Sequence, residues 1–341
     1  MVEPLIYDPS KIPYRAMIGT GGIGSGMFFA LKGSHTLGRE ESRAGWFLNR
    51  RDYSKLHIIA HYVQVMLGPA CPTILISKVG DDATGQQICA EMAQTGLDLR
   101  HVRASPGDQT LFSVCFTYPD GTGGNLTAED SACSRVDTSQ VAEAEEDFSR
   151  YLGRGIALAA PEVPLAARQK LLELATRYRF LRVASFVSAE ISEAVRLGLL
   201  NQIDLVALNI DEAAVISDKS PEEAQPQEII QETIRRLSRD YPALQISLTA
   251  GKTGSWSWDG VTLRFLPSYP TQVVSTAGAG DAHLAGIITG LATGLPLAQA
   301  HELGGLAAAL SVTSPHTIAP EVCRETLQVY VTQTEIDVNP T

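Results

Sequence analysis

The sequence predicts an α/β protein with a mostly parallel central sheet and helices on both faces of that sheet. Short runs rich in apolar and β-branched residues alternate with helix-like segments, and this alternation is typical of successive βαβ units. Strands are predicted at residues 73–78, 155–158, 180–185, 205–207, 245–248 and 262–265. Helices are predicted between several of them, at residues 85–95, 166–178 and 188–200.

One further segment, residues 111–127, breaks this alternation and predicts a β-hairpin. Two β-like runs flank Tyr118-Pro119-Asp120-Gly121, in which Pro and Asp-Gly supply turn chemistry. A hairpin inside an α/β pattern can stand off the main sheet. In an enzyme it could form a lid over a cleft.

The composition is that of a globular protein with a sizeable core. Of the 341 residues, 44% are hydrophobic and 19% are charged. The formal net charge of -11 argues against a general nucleic-acid-binding surface. No apolar run reaches the roughly 18 residues of a membrane-spanning helix, and the first residues lack the apolar centre of a secretory signal. The five cysteines are scattered without a C-x-x-C pair, so we expect a cytoplasmic protein.

The strongest chemical signal lies at residues 273–294. An apolar run leads into Thr276-Ala277-Gly278-Ala279-Gly280-Asp281, and a helix of small residues follows. Small residues allow the backbone N–H groups at a helix start to face an anion, which the helix dipole also attracts. Asp281 could then accept a proton from an attacking hydroxyl while this anion hole stabilises a transferring phosphoryl group. The alternative is that Asp281 is only a favourable first-turn acid and that the glycines allow close packing.

Two other polar segments follow predicted strands. Thr249-Ala250-Gly251-Lys252-Thr253-Gly254 suits a phosphate or nucleotide contact at the carboxyl edge of a sheet, although a simple hairpin into residues 255–258 is the alternative. Asn209-Ile210-Asp211-Glu212 opens a helical run, and its Asn and Glu could orient Mg²⁺ and its waters. The alternative for this second segment is a helix N-cap with a capping acid.

Three weaker patterns favour structural interpretations. Gly19, Gly21 and Gly24 satisfy G-x-G-x-x-G, which could indicate a nicotinamide or flavin site, but the apolar segment after them is short and a tight strand exit is favoured. Residues 251–253 end like a P-loop, yet Ile246 stands where that motif needs glycine. His57 and His61 are one helical turn apart without a third ligand, which favours a polar helix face over a metal site.

Together these segments resemble the ribokinase-like (PfkB) carbohydrate kinase family, over roughly residues 15–330. The late run at residues 308–313 is also similar to that family's adenine-side helix. Four segments appear in the family's order: Gly80-Asp81-Asp82-Ala83-Thr84-Gly85 with Gly96-Leu97-Asp98, Asn209-x-x-Glu212, Thr249-x-Gly251-x-x-Gly254, and Thr276-Ala277-Gly278-Ala279-Gly280-Asp281.

The resemblance implies a single ribokinase-like domain over residues 1–341, with a Rossmann-type three-layer core and a small β lid from about residues 15–50 and 108–130. It implies transfer of phosphate from ATP to a hydroxyl of a sugar-like small molecule. Asp281 would be the base, and the backbone of Gly278, Ala279 and Gly280 the anion hole. Asn209 and Glu212 would organise Mg²⁺ at the nucleotide site. The residues that would contact ATP are Thr249, Gly251, Gly254 and Thr276. A homodimer and a monovalent-cation requirement are left open.

Several departures from the family pattern concern the acceptor side. Ser275 stands where the family has Asp, and His283 stands where it commonly has an aromatic residue. The early acidic residue that grips sugar hydroxyls is replaced by glycines at 22, 24 and 26, and the G-G…N motif by a polar stretch at residues 37–55. Its charges could bind the acceptor, with arginines suiting a phosphorylated or acidic one, or could be solvated surface groups. The polar residues of this stretch are Glu40, Glu41, Arg43, Asn49, Arg50, Arg51 and Asp52.

This rewritten acceptor side motivates an alternative function. The chain could bind nucleotide as a sensor or partner module and transfer nothing. An NAD-binding oxidoreductase is the third interpretation, and it depends on the weak N-terminal glycine pattern alone.

Overall fold

The computed structural model describes residue 8 and residues 11–33, 36–119 and 123–329, which form two sheets with helices around the larger one. Neighbouring strands of the larger sheet are parallel except at one edge, where the last two strands are antiparallel. The predicted mostly parallel sheet is therefore confirmed. From the antiparallel edge, the order is β13 (Leu263–Leu266), β12 (Ser255–Trp258), β11 (Gln245–Thr249), β10 (Leu205–Asn209), β9 (Leu181–Ser185), β8 (Gly155–Ala159), β1 (Ala16–Thr20), β4 (Thr73–Gly80) and β5 (Asp98–Ser105).

The predicted helices are present, with one exception. The segment 188–200 is broken: only Ile191–Arg196 is α-helical, because Gly198 takes a left-handed φ of 71° that ends the helix, and 3₁₀ turns flank it. The α-helices of the described residues are α1 (Lys55–Leu67), α2 (Ala83–Thr95), α3 (Thr138–Ala142), α4 (Glu145–Arg150), α5 (Leu165–Arg177), α6 (Ile191–Arg196), α7 (Ile210–Ser217), α8 (Pro226–Asp240), α9 (Ala279–Ala292) and α10 (Leu297–Ser311).

The core consists of two apolar layers, one on each face of the large sheet. Successive strand residues point to opposite faces, so Ile156 and Leu158 of β8 pack with α1, α2, α9 and α10. Ala157 and Ala159 of the same strand pack with α3 to α8. The result is the three-layer arrangement expected for the family fold.

Helix α8 shows why such segments fold against the sheet. Pro226 occupies its first turn, where no backbone N–H is needed, and its apolar residues recur on one buried face. That face includes Ile229, Ile230, Ile234 and Leu237. Among the described residues, α8 and α10 are the longest helices, at 15 residues each. No helix of this part of the chain has the length and apolarity to span a bilayer.

The second sheet is small and four-stranded, in the order β3 (Gly45–Tyr53), β2 (Gly24–Leu31), β6 (Leu111–Thr117) and β7 (Gly123–Thr127). The predicted hairpin is present as β6 and β7, although residues 120–122 of its turn lie outside the described residues. Strands β2, β6 and β7 lie within the segments expected for the lid, whereas β3 extends three residues beyond the first of them, to Tyr53. The first of those segments was drawn too wide, because Ala16–Thr20 pairs with β4 and β8 in the large sheet. That the small sheet acts as a lid stays a prediction.

Asp82, from the early acidic signature, ties the two sheets together. Its carboxylate accepts a hydrogen bond from the backbone N–H of Gly85 at 2.7 Å and so caps α2. It also accepts bonds from the backbone and the hydroxyl of Thr110, both at 2.7 Å. Because Thr110 directly precedes β6, this acid fixes the point where the chain enters the small sheet.

Candidate active site

The candidate active site lies at the edge of the large sheet where its parallel strands end. Strand β10 ends at Asn209 and β11 at Thr249, and these two residues are register partners on neighbouring strands. Strand β8 ends at Ala159, three residues before Glu162. Crevices beyond this carboxyl edge are the usual ligand sites of open α/β sheets.

Helix α9 begins at this edge after a tight turn at Gly278. The φ of Gly278 is 78°, in the left-handed region that favours glycine, and a Cβ there would lie 2.7 Å from the carbonyl oxygen of Thr317. Ala279 and Gly280 follow as the first helical residues, where backbone N–H groups have no acceptor inside the helix. Donors at a helix N-terminus can hold an anion. The Ala279 N–H already donates to the Thr276 carbonyl at 3.2 Å, so the expected anion hole stays a prediction.

Asp281 lies in the first turn of α9 and pairs with Lys55, the first residue of α1. The Lys55 Nζ and Asp281 Oδ1 are 3.7 Å apart, and the two side chains are 32% and 13% exposed. Burial raises the pKa of Asp281, whereas the Lys55 charge opposes that rise. In turn, Asp281 raises the pKa of Lys55 above its usual value, so the lysine stays protonated. A desolvated carboxylate with a cation beside it is suited to accept a proton.

Glu162 is a second acid at this site that the sequence analysis missed. Its Oε2 accepts a hydrogen bond from the backbone N–H of Lys55 at 3.2 Å. Burial raises the pKa of Glu162 to about 7, with Lys55 lowering it and Asp281 raising it. Its φ is 73°, a strained conformation for a residue with a side chain, and such strain is concentrated at functional sites. The available signal was an acid placed shortly after a buried strand.

Asn209 and Glu212 form a reciprocal capping box at the start of α7. Glu212 Oε2 accepts from the Asn209 backbone N–H at 2.8 Å, and Asn209 Oδ1 accepts from the Glu212 backbone N–H at 2.9 Å. The structural alternative for this motif is therefore present. The carboxyl nevertheless belongs to the site electrostatically: burial raises the pKa of Glu212 to about 7, with Lys55 lowering it and Asp281 raising it.

The acids around Lys55 outnumber the cations. Asp281, Glu162, Glu212 and Asp52 all influence one another or Lys55 electrostatically. This excess of carboxylate oxygens fits a divalent cation held partly through water. Among the described residues there is no group of three or more His, Cys, Asp or Glu side chains arranged as a complete metal site. That Mg²⁺ binds at this cluster stays a prediction.

The expected nucleotide segment is a hairpin turn. Strand β11 ends at Thr249, Gly251–Thr253 forms a 3₁₀ turn, and β12 returns antiparallel from Ser255. The hairpin alternative is thus present, and it places Thr249 beside Asn209 while residues 251–253 stay exposed. Ile246 lies inside β11, which agrees with the rejection of a P-loop. Thr276 lies in the turn before α9, where its carbonyl accepts from the Ala279 N–H at 3.2 Å.

The two departures from the family pattern near Asp281 have structural roles. The buried Ser275 Oγ accepts a hydrogen bond from the Ala277 N–H at 3.4 Å, within the turn that leads to Gly278. His283 is buried and lies 3.4 Å from His301 of α10 and from Ser247 of β11. Burial lowers the pKa of His283 to about 4 and that of His301 to about 2, so both rings are neutral. This network joins α9, the helix that carries Asp281, to β11, the strand that ends at Thr249.

Most charges of the stretch 37–55 have partners away from the candidate base. Arg43 binds Glu41 through Nε at 2.9 Å and lies over the Tyr118 ring, and Arg51 binds Glu91 at 3.2 Å. Glu40 and Asn49 are exposed, and Arg50 lies 5.8 Å from the centroid of the Phe28 ring. Asp52 is different, because it is 6% exposed and influences Asp281 electrostatically.

Two of the weaker N-terminal patterns are now resolved. Gly24 begins strand β2, so the helix that a dinucleotide fingerprint requires is absent from this described segment. The expectation of a polar helix face at His57 and His61 was wrong for His57, whereas His61 is half-buried. His57 is 2% exposed with its ring 4.6 Å from that of Tyr53, because α1 is covered by the sheet and by α9.

Comparisons with known sequences agree with this geometry. Residues 59–323 match the family described as pfkB family carbohydrate kinase. A 119-residue segment is 34% identical to the uncharacterized sugar kinase YegV of Escherichia coli (strain K12), covering 35% of this chain and only 36% of that relative's length. Fructoselysine 6-kinase of the same organism is 23% identical over 263 residues, which cover 75% of this chain and 87% of that relative.

The fold is also that of solved kinases. Ribokinase from Cryptococcus neoformans var. grubii serotype A, solved in complex with ADP, superposes with a TM-score of 0.75. The match covers 93% of this chain and 99% of that one at 18% sequence identity. At this identity the likeness establishes the ribokinase-like fold and leaves the chemistry to the side chains of the site.

Proposed function

Because the chain belongs to the pfkB family of carbohydrate kinases, we propose that it transfers the γ-phosphoryl group of ATP to a hydroxyl of a sugar or sugar-like compound. The observation that carries this proposal is Asp281, which lies three residues after the Gly278 turn, in the first turn of α9, with Lys55 at 3.7 Å. A buried carboxylate and a helix N-terminus are thus close together, which supports their proposed roles as general base and anion hole in phosphoryl transfer.

Asp281 is the proposed general base. The acceptor oxygen forms a bond to the γ-phosphorus, its proton passes to the Asp281 carboxylate, and the bond from that phosphorus to the bridging oxygen breaks to release ADP. The Lys55 charge favours the ionised form of Asp281 before the transfer. The acceptor hydroxyl must therefore lie within hydrogen-bonding distance of Asp281.

The backbone of Gly278, Ala279 and Gly280 is the proposed anion hole. N–H groups at the start of α9 would donate to the oxygens of the transferring group, and the helix dipole adds to their attraction. Nothing lies within 4 Å of the position that a Cβ of Gly280 would occupy, so the helix start is open on that side.

Asn209 and Glu212 would hold Mg²⁺ through its waters, and the ion would neutralise phosphate charge. The support is the excess of acids around Lys55 and the closeness of Glu212 to that charge cluster. Thr249, Gly251, Gly254 and Thr276 are the proposed nucleotide contacts. Their support is the register of Thr249 beside Asn209 at the sheet edge.

The small sheet is proposed to close over the site and to pair with a second copy of the chain. Its outer face presents Phe47 and Leu126, which are 66% and 65% exposed, and Phe47 packs edge-on against Phe29 at 4.9 Å. Exposed apolar side chains on one face of a sheet can mark an interaction site. Two identical apolar faces can cover each other by a twofold axis, so a homodimer is the simplest partner.

An ADP-release assay with Mg-ATP tests the proposed activity. The acceptors are D-ribose, D-fructose, fructoselysine, nucleosides and sugar phosphates, each with and without potassium chloride to detect a monovalent-cation requirement. We expect at least one acceptor to stimulate ADP release well above the acceptor-free rate. If none does while Mg-ATP still raises the melting temperature, the nucleotide-binding alternative is favoured.

A further inference from the structure

The acceptor side of the proposed site lacks an acid on its first strands. The glycines at positions 22, 24 and 26 occupy the strand exit after β1 and the start of β2. None of them can hydrogen-bond a sugar hydroxyl through a side chain. A carboxylate would therefore have to reach this region from elsewhere in the fold.

Gly26 leaves room for such a carboxylate. It pairs with Asp52 on the neighbouring strand β3, next to an irregularity in the register of β2 and β3. A Cβ at position 26 would lie 2.5 Å from Asp52 Oδ2 and would also collide with the hydroxyl of Ser113. The space that a side chain at position 26 of β2 would occupy is thus taken by the carboxylate of Asp52 on β3.

Asp52 is held firmly in this position. Its Oδ2 accepts hydrogen bonds from Ser113 Oγ at 2.7 Å and from Cys115 Sγ at 3.4 Å, both on β6. The residue is 6% exposed. It lies three positions before Lys55, so the end of β3 leads directly into the helix that carries the partner of Asp281.

The charge of Asp52 reaches the proposed reaction centre. It contributes to the raised pKa of Asp281 and to that of Glu162, after the effect of burial. The three carboxyl groups therefore lie close enough to repel one another. They would also repel a negatively charged acceptor.

We infer that Asp52 is the specificity-determining acid of the acceptor site, where it binds hydroxyls of an uncharged polyhydroxy compound. The inference rests on the proposed function. From its position on β3, Asp52 would bind the sugar hydroxyls that the glycines of β2 cannot bind. This disfavours the possibility that arginines of residues 37–55 bind an acidic acceptor, since Arg43 and Arg51 are paired with Glu41 and Glu91.

Steady-state kinetics of Asp52→Asn test the inference, with the most active neutral sugar of the acceptor panel as the probe. The amide keeps the shape and can still accept from Ser113, but it lacks the charge. We expect the KM for the sugar to rise at least tenfold, with the KM for ATP within about twofold of wild type. Glu129→Gln, at an exposed acid beyond β7, is the matched control and should change neither constant.

A second variant and a selectivity measurement guard against a folding defect. Gly26→Ala should displace the carboxylate and also raise the sugar KM, while Mg-ATP still raises its melting temperature. In Asp52→Asn, activity with a sugar phosphate relative to the neutral sugar should increase. An unchanged sugar KM in Asp52→Asn would overturn the inference and leave the kinase function intact. The same holds if the wild-type enzyme prefers a sugar phosphate to the neutral sugar. A wild-type chain without turnover or sugar-dependent stabilisation removes both proposals.

Discussion

At the scale of single residues, the site depends on a balance between several acids and one lysine. Lys55 contacts Asp281 through its ammonium and Glu162 through its backbone N–H. Its charge lowers the pKa of Asp281, Glu162 and Glu212, each of which burial raises. The protonation state of the candidate base is therefore set by a residue from another helix.

Lys55→Met should shift the acidic limb of the kcat–pH profile to higher pH. Without the ammonium, burial and the neighbouring acids raise the pKa of Asp281 further, so a smaller fraction is ionised at a given pH. The kcat at pH 7 should fall at least tenfold and recover partly at higher pH. Lys219→Met, at an exposed lysine, serves as the control, and an unshifted limb would show that Lys55 does not tune the base.

Glu162→Gln should stabilise the ligand-free protein at pH 8 but not at pH 4. The folded-state pKa of Glu162 is raised from 4.5 to about 7, so its stabilising contribution is present below pH 4.5 and is lost as the pH rises through 7. The shift corresponds to at most about 3 kcal/mol. Denaturant unfolding at both pH values measures the difference, and equal stabilities at pH 8 would contradict the assigned burial.

At the scale of secondary-structure elements, a buried polar network holds α9 in place. His283 and His301 connect α9 and α10 to Ser247 of β11, and His301 also contacts Ser255 of β12 at 2.8 Å. The helix bearing Asp281 and the hairpin bearing Thr249 are thus packed through the same neutral imidazoles. An acid-induced change in this network should affect both together.

His283→Phe should weaken the loss of stability that wild type shows below pH 6.5. The folded-state pKa of His283 is lowered from 6.5 to about 4, so the unfolded chain binds more protons in that interval and stability falls as the pH decreases. Each such histidine contributes about 1.4 kcal/mol per pH unit there. Melting temperatures at pH 7, 6 and 5 compare the two slopes, and identical slopes would mean that His283 titrates normally.

The elements that sequence could predict are those with a local signal. Strands β4, β8 and β11 and helices α2 and α5 were identified from apolar periodicity, and the anion-hole turn from its small residues before α9. Lys55 and Glu162 were not assigned roles, because their meeting depends on the ends of β8 and α1 coming together across about a hundred positions of chain. The burial of His57 was missed for the same reason, since other elements cover α1.

At the scale of the whole molecule, the two sheets contribute different parts of the proposed site. The proposed base, anion hole and nucleotide contacts lie on α9 and the loops at the carboxyl edge of the large sheet, and the small sheet supplies Asp52. The small sheet also carries the exposed apolar face of Phe47 and Leu126. Closure of the site and association of chains are therefore proposed for opposite faces of one sheet.

Phe47→Glu should convert the proposed dimer into a monomer of 36.6 kDa. A charge on the apolar face cannot be buried against its copy without a large desolvation cost. Sedimentation velocity at micromolar concentration measures the mass, with Val261→Glu as a control at another exposed apolar residue, 83% accessible. A wild-type chain that sediments as a monomer would contradict pairing through this face.

The most direct test of the account is the turnover of Asp281→Asn with Mg-ATP and the acceptor that wild type uses best. Asparagine keeps the shape of the side chain but cannot take the proton of the attacking hydroxyl. We predict that kcat falls by about 10²- to 10⁴-fold, the usual contribution of a general base, while Mg-ATP raises the melting temperature as in wild type. A variant that turns over at the wild-type rate would contradict the assignment of Asp281 as the base.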